Sequence, residues 1–268
     1  GDRYEMLGAA ISARNLGLTI FHIGGGCTTL GALDDMYRHN ISIMSDYHFV
    51  DLPEYKKKLI NFGIKKNNIF TIGSFGATNV LEAKTKNKEE LLKELKIEIN
   101  KKIVLFTYHP TTAMIKNDLD FIKTVFNYLK LSDYQTIISN PNEDFSRNQI
   151  SKLFKRYINI KNFKFFKNLG HEYYASLLKN ADLMIGNSSS GILEAASFNL
   201  PVLNLGIRQK GRLASKNVFN IENYIKKTIE KKINYLINLK ENGYKTNNIY
   251  LKKNTYKLFC KIITEKIR

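Results

Sequence analysis

Residues 183–197 constrain the fold of this chain more than any other stretch. Leu183-Met184-Ile185 is an apolar run with the length of a buried strand. Gly186-Asn187-Ser188-Ser189-Ser190-Gly191 is a turn of small residues, and residues 192–197 open a helix. A tight strand-to-helix turn leaves backbone N–H groups unpaired at the helix start, where the helix dipole adds about half a positive charge. Such a place can receive a phosphate. The hydroxyls of Ser188, Ser189 and Ser190 add donors. A carboxylate at Glu194 would repel phosphate and suits a ribose hydroxyl instead. The same residues also make an ordinary helix start, with Ser188 or Ser190 as N-cap and Glu194 completing the turn. Both readings stand at this level.

The strand–turn–helix pattern repeats on both sides of that turn. Helix periodicity covers residues 4–15, 31–44 and 53–62, with short strands at 18–23, 47–50 and 69–72. Gly73-Ser74-Phe75-Gly76 breaks the alternation, and the lysine-rich stretch 84–101 reads as a linker with a surface helix. A second alternation follows, with strands at 103–106, 135–139, 162–166, 183–185 and 201–205. Helices at 115–129, 145–157, 172–180 and from 190 onward separate them. Two more helices, near 222–239 and 245–266, finish the chain, and one of them is placed to brace the first domain. The expectation is an α/β chain of two Rossmann-like domains with parallel sheets, helices on both faces and ligands outside the strand carboxyl ends. Residues 1–82 form the first domain, 83–245 a nucleotide-binding domain and 246–268 a carboxyl-terminal helix. The chain opens directly on a helix, so the first domain is expected to be truncated.

Composition removes several classes of function. The formal charge of +18 over 268 residues invites a nucleic-acid reading. Lysine dominates, however, and is scattered among Asn and Ile with no nucleic-acid motif, as solvated helix faces require. No nucleic-acid partner is expected, although the positive field favours a small anionic ligand. No run approaches the roughly 18 apolar residues of a membrane span, so no membrane partner is expected. Cys27 and Cys260 form neither a disulfide framework nor a metal-ligand spacing, which points to a reducing, cytoplasmic setting without a metal.

Several polar groups fall at strand carboxyl ends. Asp2 precedes the first helix, His109 follows the 103–106 strand, and Asn142 and Asp144 follow the 135–139 strand. The serine turn follows residue 185, and Arg208, Gln209, Gly211 and Arg212 follow the 201–205 strand. Asp34 and Arg38 are four apart and share a helix face, either as a surface ion pair or as a carboxylate aimed into a cleft. Gly24-Gly25-Gly26 lacks the spacing of a dinucleotide fingerprint, and there is no Walker loop.

On these residues the chain resembles the hydrolysing UDP-N-acetylglucosamine 2-epimerases of the sialic and legionaminic acid branch. The resemblance rests on Gly1-Asp2-Arg3-Tyr4-Glu5-Met6-Leu7, Gly31-Ala32-Leu33-Asp34 through Arg38-His39, and Tyr108-His109-Pro110. It continues through Pro141-Asn142-Glu143-Asp144, Gly186 to Gly191 with Glu194, and Arg208-Gln209-Lys210-Gly211-Arg212. It implies the glycosyltransferase-B architecture, a UDP-sugar substrate, no cofactor and a homodimer. It further implies elimination of UDP to a 2-acetamidoglucal followed by hydration to the free 2-epimer. Asp2, Asp34, Arg38 and His109 would then be catalytic. Asn142, Asp144, Asn187, Ser188, Ser189, Ser190, Gly191, Glu194, Arg208, Gln209, Gly211 and Arg212 would hold the nucleotide sugar. The chain departs from the family pattern at Cys27, where a catalytic-region glutamate is usual, at Gly24 in place of a histidine, at Leu30 in place of a carboxylate and at Thr78 in place of an aspartate. These departures leave open a remnant that only binds the UDP-sugar, or a glycosyltransferase of the same architecture.

Overall fold

The computed structural model describes residues 2–98, 100–111, 115–139, 147–222 and 224–267, with backbone only at 115–117 and 147–148. Asn142 and Asp144 lie outside the described residues. Contacts divide the chain into two units. One comprises Gly1–Thr78, Lys210–Arg212 and Ile249–Arg268, and the other Asn79–Gln209 and Leu213–Asn248.

The first unit begins with α1 (Tyr4–Asn15), β1 (Phe21–Ile23), α2 (Asp34–Met44), β2 (Tyr47–Val50), α3 (Pro53–Asn61) and β3 (Ile69–Thr71). Its strands form a parallel sheet in the order β1-β2-β3, with His22 opposite His48 and His48 opposite Ile69. Phe49 and Val50 of the middle strand are fully buried, as expected of a parallel strand covered on both faces. Helix α4 (Phe75–Glu82) starts where the sequence suggested a break. Gly73, at φ +80°, makes the turn, and the Thr78 N–H then bonds the Ser74 carbonyl at 3.1 Å.

The second unit holds α5 (Lys88–Glu94), β4 (Ile103–Thr107), α6 (Ile115–Leu129), β5 (Gln135–Ser139), α7 (Arg147–Lys155) and β6 (Phe163–Phe166). It continues with α8 (Gly170–Asn180), β7 (Leu183–Gly186), α9 (Ser189–Leu193), β8 (Val202–Leu205), β9 (Val218–Ile221) and α10 (Lys226–Glu241). Helix α11 (Thr255–Ile267) belongs to the first unit. The sheet order is β6-β5-β4-β7-β8-β9, all parallel. The chain runs outward from β4 to one edge and then returns to β7 for the other. The strand order therefore reverses between β4 and β7, and their carboxyl ends flank the crevice where such sheets bind ligands.

Two assignments change with the structure. The stretch read as linker and surface helix carries α5, whose Leu91 and Leu92 are fully buried and whose start is closed by a reciprocal Asn87–Glu90 capping box. Strand β9 was not expected, because Val218-Phe219-Asn220-Ile221 is short, partly polar and an edge strand.

Aromatic packing fills one face of the six-stranded sheet. Phe126, with no exposed surface, meets Phe106 at 4.8 Å, Phe163 at 5.2 Å and Phe154 at 5.4 Å between ring centroids. Among the described residues no helix is long and apolar enough to cross a membrane. Phe126→Ala is expected to cost about 3–5 kcal/mol, read as a lower urea midpoint at an unchanged slope.

Candidate functional site

In the second unit the loops after β4, β7 and β8 converge on Asn187. This residue is fully buried, as an amide can be only when its hydrogen bonds are met. Its Oδ1 accepts the His109 N–H at 2.7 Å and its Nδ2 donates to the His109 carbonyl at 2.8 Å. Its own carbonyl accepts from Gln209 Nε2 at 2.9 Å and from an Arg208 guanidinium N–H at 3.2 Å. One side chain and its peptide thus bind three strand-end loops together. The preceding Gly186 has φ +140°, and a Cβ there would stand 1.8 Å from the Thr107 carbonyl oxygen. No other residue fits that approach.

Beyond Asn187, Ser188 caps α9 and its Oγ accepts the Ser190 N–H at 3.3 Å. The amides of Ser188 and Ser189 meet no acceptor among the described residues. Ser189 is the most open of the three serines. Helix α9 has only five residues, so its dipole is smaller than the sequence argument assumed, and the donors here are local amides and hydroxyls. Gly191 packs against Val202, where a Cβ would come within 2.9 Å of a methyl carbon.

Glu194 turns inward. Ser190 Oγ donates to its Oε2 at 2.6 Å, and Tyr174 OH donates to Ser190 Oγ at 2.8 Å. Burial raises the Glu194 pKa against the pull of that serine and of His171. Asp118, which the sequence reading did not single out, fixes the loop after β4. It accepts from Tyr108 OH, the Thr111 N–H and Thr111 Oγ1, each at 2.8 Å. His109 is buried, and burial together with the Arg208 charge pushes its pKa down to about 3. Its imidazole is neutral across the physiological range, able to donate or accept a hydrogen bond but not to act as a counter-charge.

The first unit carries a separate cluster. Arg38 is buried and donates from Nε to Asp2 Oδ2 at 2.7 Å and from NH1 to Asp35 Oδ1 at 2.5 Å. NH1 also reaches the Cys27 carbonyl and Thr29 Oγ1, each at 3.2 Å. The other Asp2 oxygen meets His22 Nε2 at 3.1 Å, and His22 Nδ1 meets Ser42 Oγ at 3.0 Å. Burial alone would raise the Asp2 pKa, but His22 and Arg38 outweigh it and hold it low. The expected Asp34–Arg38 pair is the loosest of the set at 3.8 Å, and Asp34 is more exposed than Asp2 or Asp35. The adjacent Asp35 takes the position the spacing had assigned to Asp34, and it also accepts from the Thr29 N–H and hydroxyl at 2.8 Å. Cys27 is buried, with an Arg212 guanidinium nitrogen 3.7 Å from its Sγ. Gly211 approaches Thr28 and Leu30.

The structure therefore gathers His109, Asn187, Ser188, Ser189, Ser190, Gly191, Glu194, Arg208 and Gln209 in one unit. It gathers Asp2, Asp34, Arg38, Gly211 and Arg212 in the other. Asp35 and His22, missed in the sequence, sit beside residues that were chosen, and the parallel register of β1 could have pointed to His22.

A family profile described as UDP-N-acetylglucosamine 2-epimerase matches residues 1–264. The chain is 41% identical over 225 residues to the GDP/UDP-N,N'-diacetylbacillosamine 2-epimerase (hydrolyzing) of Campylobacter jejuni, covering 83% of this chain and 59% of that protein. It is 37% identical over 222 residues to the UDP-N,N'-diacetylbacillosamine 2-epimerase (hydrolyzing) of Legionella pneumophila, with the same two coverages. The chain thus spans somewhat under two thirds of either relative. A crystal structure of the Methanocaldococcus jannaschii UDP-GlcNAc 2-epimerase in complex with UDP-GlcNAc and UDP superposes with a TM-score of 0.81 at 18% identity, over 99% of this chain and 74% of that one. At that identity the likeness establishes the fold, two parallel α/β units of the glycosyltransferase-B class. Asn187→Ala is expected to destabilise the chain by about 3 kcal/mol, measured by denaturant unfolding, because it strands the His109 peptide groups in a dry turn.

Proposed function

The chain belongs to the UDP-N-acetylglucosamine 2-epimerase family, and we propose that it is a hydrolysing 2-epimerase. It converts a UDP-activated 2-acetamido sugar to UDP and the free 2-epimeric hexosamine. The observation that carries this reading is the pair of amides at Ser188 and Ser189 that meet no acceptor among the described residues, at the point where the strand order of the second unit reverses. The names of the two bacterial relatives favour a 2,4-diacetamido-6-deoxy sugar over N-acetylglucosamine.

The chemistry asks for two things. The C2–H bond is a very weak acid, so the diphosphate must leave C1 easily while the proton is removed. The Ser188 and Ser189 amides and the Ser189 hydroxyl are donors for charge gathering on the diphosphate, while the Ser190 hydroxyl, engaged with Glu194, holds the turn in place. Arg208, anchored on the Asn187 carbonyl, adds a cation beside them. Neutral His109 offers a hydrogen bond without competing for the proton. The Glu194 oxygen not taken by Ser190 suits a ribose hydroxyl, and Gln209 and Gly211–Arg212 complete the nucleotide contacts. Asp2, kept ionised by Arg38 and His22, suits the stabilisation of positive character at C1 as the bond to UDP breaks. Water then adds across the glucal double bond.

The proposal extends to a cytoplasmic, homodimeric enzyme that supplies the free hexosamine from which sialic or legionaminic acids are built. Its free thiols suit that compartment. A second reading, binding of UDP-sugar without turnover, is favoured by Cys27. A thiol of ordinary pKa about 8.5 is a weaker base partner near neutrality than a carboxylate unless its surroundings lower it.

The deciding assay is release of free hexosamine and UDP from UDP-N-acetylglucosamine and from its 2,4-diacetamido-6-deoxy counterpart. Turnover of either is expected, whereas binding without release of hexosamine would select the second reading. Replacing Ser189 and Ser190 together by alanine is expected to weaken UDP binding by about tenfold, a loss of about 1.4 kcal/mol, in titration calorimetry. An unchanged affinity would remove the serine turn from the site.

A further inference from the structure

The cluster in the first unit contains a carboxylate that none of the foregoing uses. Asp51 directly follows β2, the middle strand of the three-stranded sheet. The strand end is bracketed on both sides. The Phe49 carbonyl accepts the Gly24 N–H at 2.8 Å, and the Val50 carbonyl accepts the Ile72 N–H at 3.0 Å. Asp51 therefore stands at the carboxyl rim of a parallel sheet, where ligands of such sheets bind. It lies two residues beyond the carbonyl that holds the Gly24 N–H.

Its neighbours make it unlike the other acids of this unit. Both Asp2 oxygens are taken, and Asp35 Oδ1 receives three donors. Asp34 is half-buried and already faces Arg38 at 3.8 Å. Asp51 is partly buried, and among the described residues no hydrogen bond or ion pair reaches its carboxylate. Leu52, not Asp51, occupies the N-cap of α3 and no side chain caps that helix, so Asp51 is not spent on helix capping.

We propose that Asp51 is the carboxylate that takes the proton from C2 of the sugar. The inference rests on the hydrolysing-epimerase reading and deepens it. As the C2–H bond breaks, its electron pair becomes the C1=C2 bond, the C1–O pair leaves with UDP, and the proton stays on Asp51. In the hydration stage a different group delivers a proton to the opposite face of C2, water adds its hydroxyl at C1, and the proton that water sheds replaces the one that group gave. The new proton arrives from the other side, so the centre is inverted, and Asp51 returns its own proton to solvent.

The electrostatics suit that role. Burial pushes the Asp51 pKa up to about 6, with Arg212 and Arg38 pulling it down and Asp2 pushing it up. From α3 and from the segment before α11, Tyr55 and Tyr250 also face it, their hydroxyls paired at 2.7 Å, and Cys27 completes the surroundings. A base with a pKa just below the working pH is ionised yet still holds a proton well. Such a base also fills the place left by a thiol at position 27.

The test is the pH dependence of hexosamine release by the full chain and its variants, with both UDP-sugars as substrates. For the unsubstituted chain kcat/KM is expected to fall on the acid side through an apparent pKa near 6, because the base must be ionised. Asp51→Asn is expected to lower kcat by at least about 100-fold while UDP affinity, measured by calorimetry, stays within about twofold. Asp51→Glu is expected to retain part of the activity and the acid limb. A chain that releases no hexosamine from either sugar would sink the epimerase reading and this inference with it. An active chain whose Asp51→Asn variant keeps kcat within about tenfold would overturn the role of Asp51 alone. If Asp51→Asn does not fold, the acid limb of the unsubstituted chain decides, and a flat profile from pH 5 to 7 overturns the proposal.

Discussion

The Asn187 amide is the constraint on which the nucleotide-side rim depends. Three loops leave the sheet at β4, β7 and β8, and none of them is regular enough to hold its own shape. A single primary amide with one acceptor and two donors closes on the His109 peptide, while the Asn187 carbonyl draws in Arg208 and Gln209. The arrangement is possible because Gly186 lets two backbones touch where any side chain would collide. Rigidity at this point fixes the turn in which the Ser188 and Ser189 amides meet no acceptor among the described residues. Such preorganised donors can stabilise developing charge at little cost in reorganisation.

The first unit solves a different electrostatic problem. Arg38 is buried, and a lone buried guanidinium would be expensive. Asp2 and Asp35 neutralise it at hydrogen-bonding distance, with the Cys27 carbonyl and Thr29 hydroxyl as further acceptors. The pairing fixes the carboxylates as much as it solvates the cation. Asp2 is thereby held ionised, while Asp51 nearby has its pKa pushed up to about 6. Acids with such divergent environments on one rim allow separate duties for charge stabilisation and proton transfer.

Much of this was legible in the sequence, and the failures have physical reasons. The parallel α/β class followed from buried apolar runs alternating with amphipathic helices, and the serine turn followed from small residues between a strand and a helix. Arg38 was identified by its spacing from Asp34, but spacing could not separate Asp34 from Asp35. That choice is set by how α2 is rotated against the loop carrying Thr29, a tertiary fact. Asp118 and Asp51 look like ordinary solvent-facing acids in the sequence, and only burial distinguishes them. The helix after the serine turn was read as long because its residues favour helix, yet Asn199, at φ +52°, ends the turn that follows α9. Strand β9 is a polar edge, where the hydrophobic signal is weakest.

The last helix has a consequence for how the molecule is made. Ile262 of α11 packs with Phe49 and Ile72, and Phe259 meets Phe49 at 4.7 Å between ring centroids. The unit that contains the start of the chain thus borrows part of its hydrophobic centre from the end. On a ribosome the intervening unit emerges whole and can fold as it appears, whereas the earlier one must wait, with its sheet uncovered on that side, until α11 has been made. Loss of α11 would therefore be felt first in the sheet built from residues far earlier in the chain.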